Sequence, residues 1–129
     1  MNADAFYARV QELGQLDSRA EARAWTMATL RAFSHVLPDA EARRHFAAQL
    51  PSTLKAALQT EPPRGLLMDR DTFVQHVAAA LDAHASEGAR AVAVACQVLT
   101  EALAAGQIAE VRARLPADLA ELFPEQAAA

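Results

Sequence analysis

Phe6, Val10 and Leu13 recur three and four residues apart with polar positions between them, which predicts a short amphipathic helix stopping at Gly14. Asn2 or Asp4 is its candidate N-cap. A second stripe, Trp25, Thr29, Phe33 and Val36, widened by Leu30 and Leu37, predicts a longer helix over 18–37. Ser18 and Glu21 stand three apart at its start, the capping-box spacing. Its opposite face carries Arg19, Arg23 and Arg31. Pro38-Asp39 ends that helix and caps a third, on which Ala42, Phe46, Gln49 and Leu50 lie near one another. Pro51 falls where a fourth begins, because proline lacks the N–H that would have no partner there, and Leu54 and Leu58 face inward.

The order then repeats. Asp69 or Asp71 caps a helix with Phe73, Val77 and Leu81 inward; Ser86 opens a long helix to about Leu103; Gly106 marks a turn; Ile108, Val111 and Leu115 share a helix; and Pro116 restarts the chain before Leu119 and Phe123. QLPSTLKAAL at 49–58 is echoed by RLPADLAELF at 114–123, where the shared positions are apolar or proline and the intervening polar ones differ. Such an echo marks architecture rather than a duplicated ligand site. The expectation is an all-α single domain built from two tandem four-helix repeats related by pseudo-twofold symmetry. Repeat one runs over about 3–60, a linker over 61–69 and repeat two over about 70–124, with a disordered tail at 125–129. Val92, Cys96, Leu99 and Leu103 on one side of the second long helix and Val94 and Val98 on another predict that it is central, and its arginine-bearing counterpart peripheral.

Length and composition fit that picture. The chain has 129 residues and 53% apolar content, about a quarter of it alanine, which favours helix and thin packing layers. The net charge of −4 argues against nucleic acid as a partner. The opening MNADAFYARVQ does not read as a secretory signal, and no run of about 18 apolar residues occurs, so no membrane insertion and a cytoplasmic setting are expected. The single cysteine, Cys96, fits a reducing compartment.

The F-x-x-x-V openings at Phe6 to Val10 and Phe73 to Val77, the Ala-rich long helix ending in Val98, Leu99 and Leu103, and the A-x-[QR]-L-P-x-x-L segment at Ala47 to Leu54, echoed at Ala113 to Leu119, resemble the bacterial family known as domain of unknown function 2267. The resemblance covers almost the whole chain and implies an all-helical duplicated domain. It implies no activity. The 61–69 linker departs from the family in lacking aromatic residues.

Candidate chemistry is sparse. His35, His45, His76 and His84 read as solvated helix residues; Glu41 lies one turn from His45 and Asp82 near His84, but two ligands specify little, and no metal or cofactor is expected. Cys96 has no cationic neighbour within a turn and reads as a small buried hydrophobe. Trp25 reads as core. Arg19, Arg23 and Arg31, with the Arg43-Arg44 pair, could present a basic face to an anion or acidic partner, with a solvated face as the plain alternative. The favoured expectation is a non-catalytic interaction module acting by self-association or by binding a protein partner. The alternative is a small-molecule or lipid binder using a crevice between the repeats, lined by Phe33, Phe46, Leu66, Leu67 and Met68. An enzyme is the least favoured class, because no catalytic set is assembled in the sequence.

Overall fold

The computed structural model describes residues 1–48, 50–59 and 65–123. Among them the chain is all-helical, without strands: α1 (Ala3–Gly14), α2 (Arg19–Val36), α3 (Ala40–Ala47), α4 (Ser52–Leu58), α5 (Arg70–Ala80), α6 (Ala85–Ala102), α7 (Ala105–Arg114) and α8 (Ala117–Ala120). Gln49, residues 61–64 of the expected linker and the tail from 124 lie outside the described residues.

Four helices start where a polar side chain can take a first-turn amide. Asn2 accepts from Ala5, Ser18 from Glu21, Asp39 from Ala42 and Asp69 from Thr72, at 2.7–3.1 Å. The two prolines act alike: Pro51 and Pro116 sit at the N-caps of α4 and α8, and each carbonyl accepts two amides of the helix it opens. Leu54 and Leu119, three residues on, are fully buried. Two starts differ from expectation. Helix α6 opens at Ala85 with His84 at its cap, not at Ser86, and Gly106 lies within the first turn of α7 rather than in a turn. Gly14 is also helical; Gln15 takes the left-handed conformation that ends α1. What Gly14 supplies is room, since a Cβ there would stand 2.8 Å from the Trp25 ring.

Packing crosses between the first four helices and the last four. Helix α1 packs on α6, α2 on α5 and α6, and α3 on α7. At the centre Phe33 of α2 stands 5.5 Å from Phe46, 4.7 Å from Phe73 and 5.5 Å from Phe123, ring to ring, and all four are at most 1% exposed. At one edge Arg9 makes a two-pronged bond to Glu101, at 2.9 and 3.2 Å. At another, Arg90 donates to the Gly14 carbonyl at 2.8 Å while its guanidinium lies over Trp25.

The expected ranking of the two long helices is reversed. Helix α2 packs on α1, α4, α5 and α6, whereas α6 meets α1, α2 and α5. The cause is the fourth helix of each set: α4 packs along α2, but the single-turn α8 packs on α7 and leaves Ala85, Ala89 and Ala93 of α6 exposed. Apolar composition alone misleads here, because alanine is nearly indifferent to exposure on a helix.

Helices α5 and α6 approach most closely at Gly88, where a Cβ would stand 2.7 Å from the Ala78 Cβ and 2.8 Å from the Val74 carbonyl oxygen. Glycine costs a helix about 1 kcal/mol relative to alanine, so Gly88→Ala would stabilise an open site. Here it is expected to lower Tm, at a net cost of about 1–3 kcal/mol, because backbone must move. Gly106→Ala, with nothing within 4 Å of the added methyl, is expected to raise Tm. Thermal denaturation of the two variants side by side checks the contrast.

Candidate functional site: an arginine-lined groove on α1 and α2

Arg19, Arg23 and Arg31 come together on the structure with Met27 between the last two, along the i, i+4 ridge of α2. With Asp4 and Tyr7 of α1 and Ala20 and Ala24 of α2 they line an open groove of about 590 Å³. That lies within the roughly 300–1,000 Å³ usual for ligand sites. A shallower depression continues from it past Arg23, Met27 and Arg31 to Thr53, Ala56 and Ala57 of α4. The three arginines span about 18 Å of helix. Its lining combines the Ala20 and Ala24 methyl groups and the Met27 thioether with the three guanidinium groups.

How these arginines are held matters more than their number. Arg19 donates to the Gln11 side chain at 3.0 Å and the Asp4 carbonyl at 3.3 Å, both uncharged acceptors. The side chains of Arg23 and Arg31 make no hydrogen bond or ion pair among the described residues. Arg9 and Arg90, by contrast, are committed to Glu101 and to Gly14 with Trp25. Arg43, grouped with the basic face from sequence, is buried and donates to the Ser34 carbonyl near the end of α2, so it does not join that face.

Tyr7 was not singled out in the sequence. The residue is 6% exposed, and its fully buried hydroxyl has no hydrogen-bond partner among the described residues. Burial raises its pKa above the ordinary 10.0, opposed by Arg23 and assisted by Asp4, so the hydroxyl stays protonated at neutral pH. The signal available was its position beside Phe6, which turns it from the inward stripe toward the neighbouring helix.

The residues offered as crevice walls separate. Phe33 and Phe46 are closed inside the aromatic core, Met68 packs against its edge, and Leu66 and Leu67 are exposed, Leu67 by 92%. Phe33 and Phe46 thus meet other rings, not an opening. The Leu66 amide bonds back to the His35 carbonyl at 2.9 Å, fixing this end of the linker beside α2.

The histidines are less isolated than their sequence setting suggests. His35 Nδ1 and His76 Nε2 are 3.2 Å apart, joining α2 to α5, and His45 lies between Glu41 and Glu110. Among the described residues no group of three or more His, Cys, Asp or Glu side chains is arranged to hold a metal. Cys96 is fully buried, and burial drives its thiol pKa far upward, which suppresses the thiolate. No helix among the described residues is long and apolar enough to cross a membrane.

A family model described as "Uncharacterized conserved protein (DUF2267)" matches residues 3–122, nearly the whole chain, and the chain belongs to that family. A search of curated proteins returned no match.

His76 is held below its ordinary pKa of 6.5 by burial and by His35. Between that lowered value and 6.5 the unfolded chain binds more protons than the native one, so stability rises with pH across this window and is lost as pH falls through it. Tm is expected to drop on acidification from pH 7.5 to 5.5, and less so in His76→Gln. Glu101, lowered by its bond to Arg9, adds a loss only as pH falls through and below 4.5. Native Cys96 is expected to resist a thiol reagent at pH 8 and to react on unfolding, read by absorbance.

Proposed function

We propose that this chain is a non-catalytic helical interaction module that binds an acidic partner, a protein or another copy of itself, through the arginine groove of α1 and α2. The observation that carries the reading is that the Arg23 and Arg31 side chains have no partner among the described residues, in a chain of net charge −4 with 16 carboxylate residues. Arginines needed by the fold find acceptors within it, as Arg9 and Arg90 do. Arginines left over, beside apolar lining groups, suit an interface.

The duplication reading supports this. With the two long helices aligned at an offset of 66 residues, Arg19, Arg23, Met27 and Arg31 correspond to Ala85, Ala89, Ala93 and Gln97. On this alignment the second set of helices packs without guanidinium groups at these positions, which supports a use for them other than folding. Contacts of α1 with α6 and α5 with α2, together with α2 on α6 and α3 on α7, accord with a pseudo-twofold arrangement, which α4 and α8 break. A second reading, a small-molecule or lipid binder, draws on the exposed linker leucines Leu66 and Leu67.

Native mass spectrometry of untagged protein separates these readings, since it reports both assembly and retained small molecules. Wild type and Arg23→Glu/Arg31→Glu are then used as baits in host extract, with Arg44→Glu as a control on α3. The interaction-module reading expects the dominant species, or the self-assembled form, to be lost in the double variant and kept in the control. Identical capture by all three baits, with monomeric wild type, would sink it.

A further inference from the structure

The two ends of the groove differ. At the α4 end Arg31 stands over alanines, Met27 and Thr53. At the α1 end four features converge: Arg19, held only by neutral acceptors; Arg23, whose side chain has no partner among the described residues; the first turn of α2, to which Arg19 and Ala20 belong; and Tyr7, which lines the groove with its hydroxyl buried. Ser18 caps α2 through the Glu21 amide, so the amides of Arg19 and Ala20 precede the intrahelical ladder of an 18-residue helix and carry its positive end.

The hydroxyl is the independent sign of a ligand. A buried hydroxyl without a partner is costly, and a phenylalanine would fill the same volume without that cost. Two charged groups act on it, Arg23 and Asp4, and both line the groove. A donor placed beside a free guanidinium, near a second guanidinium and a helix N-terminus, matches a compact multivalent anion better than a single carboxylate. One carboxylate, Asp4, stands against the three guanidinium groups of the groove.

We propose that the α1 end of the groove is a binding site for a tetrahedral oxyanion, a phosphoryl group carried by the ligand. Arg19 and Arg23 supply the charge and Tyr7 the hydrogen bond. Drawn to the anion, the exposed Arg23 side chain would open the path to the hydroxyl. The inference rests on the reading of this groove as a binding face and names the chemistry at one end of it.

The test is titration of the full chain with inorganic phosphate by calorimetry and thermal shift, against sodium chloride at matched ionic strength. Phosphate is expected to bind and to raise Tm where chloride does not. Arg23→Gln is expected to weaken binding by at least about tenfold, and Tyr7→Phe by about tenfold, as for a lost hydrogen bond to a charged group. Tyr7→Phe should meanwhile keep or raise the unliganded Tm, a combination that a purely structural tyrosine would not give. Phenyl phosphate and a phosphoserine peptide then distinguish a small ligand from a modified partner by which binds more tightly than inorganic phosphate. Equal effects of phosphate and chloride would overturn the site, and so would wild-type affinity in Tyr7→Phe. Either failure leaves the bait comparison intact, so loss of the oxyanion site and loss of the binding face are told apart.

Discussion

The fold depends on one ring. Phe33 lies at the end of α2 that faces α3, α5 and the chain's last described residue, and its contacts with Phe46, Phe73 and Phe123 draw those segments together. The rest of the interior is largely alanine, valine and leucine, which supply area but little directional contact. Aromatic pairs add about 0.5–1.5 kcal/mol each beyond their buried area. With five phenylalanines in the chain and all five at most 1% exposed, the aromatic content is spent on closure. A crevice lined by Phe33 and Phe46 would have to open the contact that holds the helices together.

Around that centre, small residues set the distances. Gly88 lets α5 lie against α6, and Gly14 lets α1 reach the Trp25 ring. Thr26, Thr29 and Thr100 bury their hydroxyls by donating to the carbonyl four residues back, so the long helices carry polar atoms inside without orphaning them. Against this economy the Tyr7 hydroxyl, without a partner among the described residues, stands out, because the same fold satisfies Thr26, Thr29 and Thr100 locally.

What could be read from the sequence was what the chain determines within a turn or two. Ser18 and Asp39 are legible as caps because cap and amide are three residues apart, and Pro51 and Pro116 because proline acts on its own backbone, whereas the sequence left Asn2 or Asp4 and Asp69 or Asp71 open, and the structure takes Asn2 and Asp69. The arginine face is visible as a stripe, but not that Arg19 is held by Gln11 and the Asp4 carbonyl while the Arg23 and Arg31 side chains find no partner among the described residues. Tyr7 was hidden beside the inward Phe6, and the His35 pairing with His76 spans 41 positions. Val94 and Val98, off the main stripe of α6, point to a central helix, yet burial along its Ala85, Ala89 and Ala93 strip is decided by where the short α8 docks.

That docking difference also explains why the groove occurs on α2. A long helix flanked on both sides by shorter ones, α1 and α4, has walls along its exposed strip, and side chains on the strip become lining. On α6 the corresponding strip lacks the α4-like wall, and alanines there present a nearly flat surface. Arginine on a flat helix face is solvated and weakly coupled to anything it meets. Arg19, Arg23 and Arg31 are themselves exposed, but along the groove they share their surroundings with Asp4 and Tyr7 of α1 and with Thr53 of α4, so an anion there meets several polar groups at once. The asymmetry between α4 and α8 therefore gives one of the two long helices a place in which charge can be used for recognition.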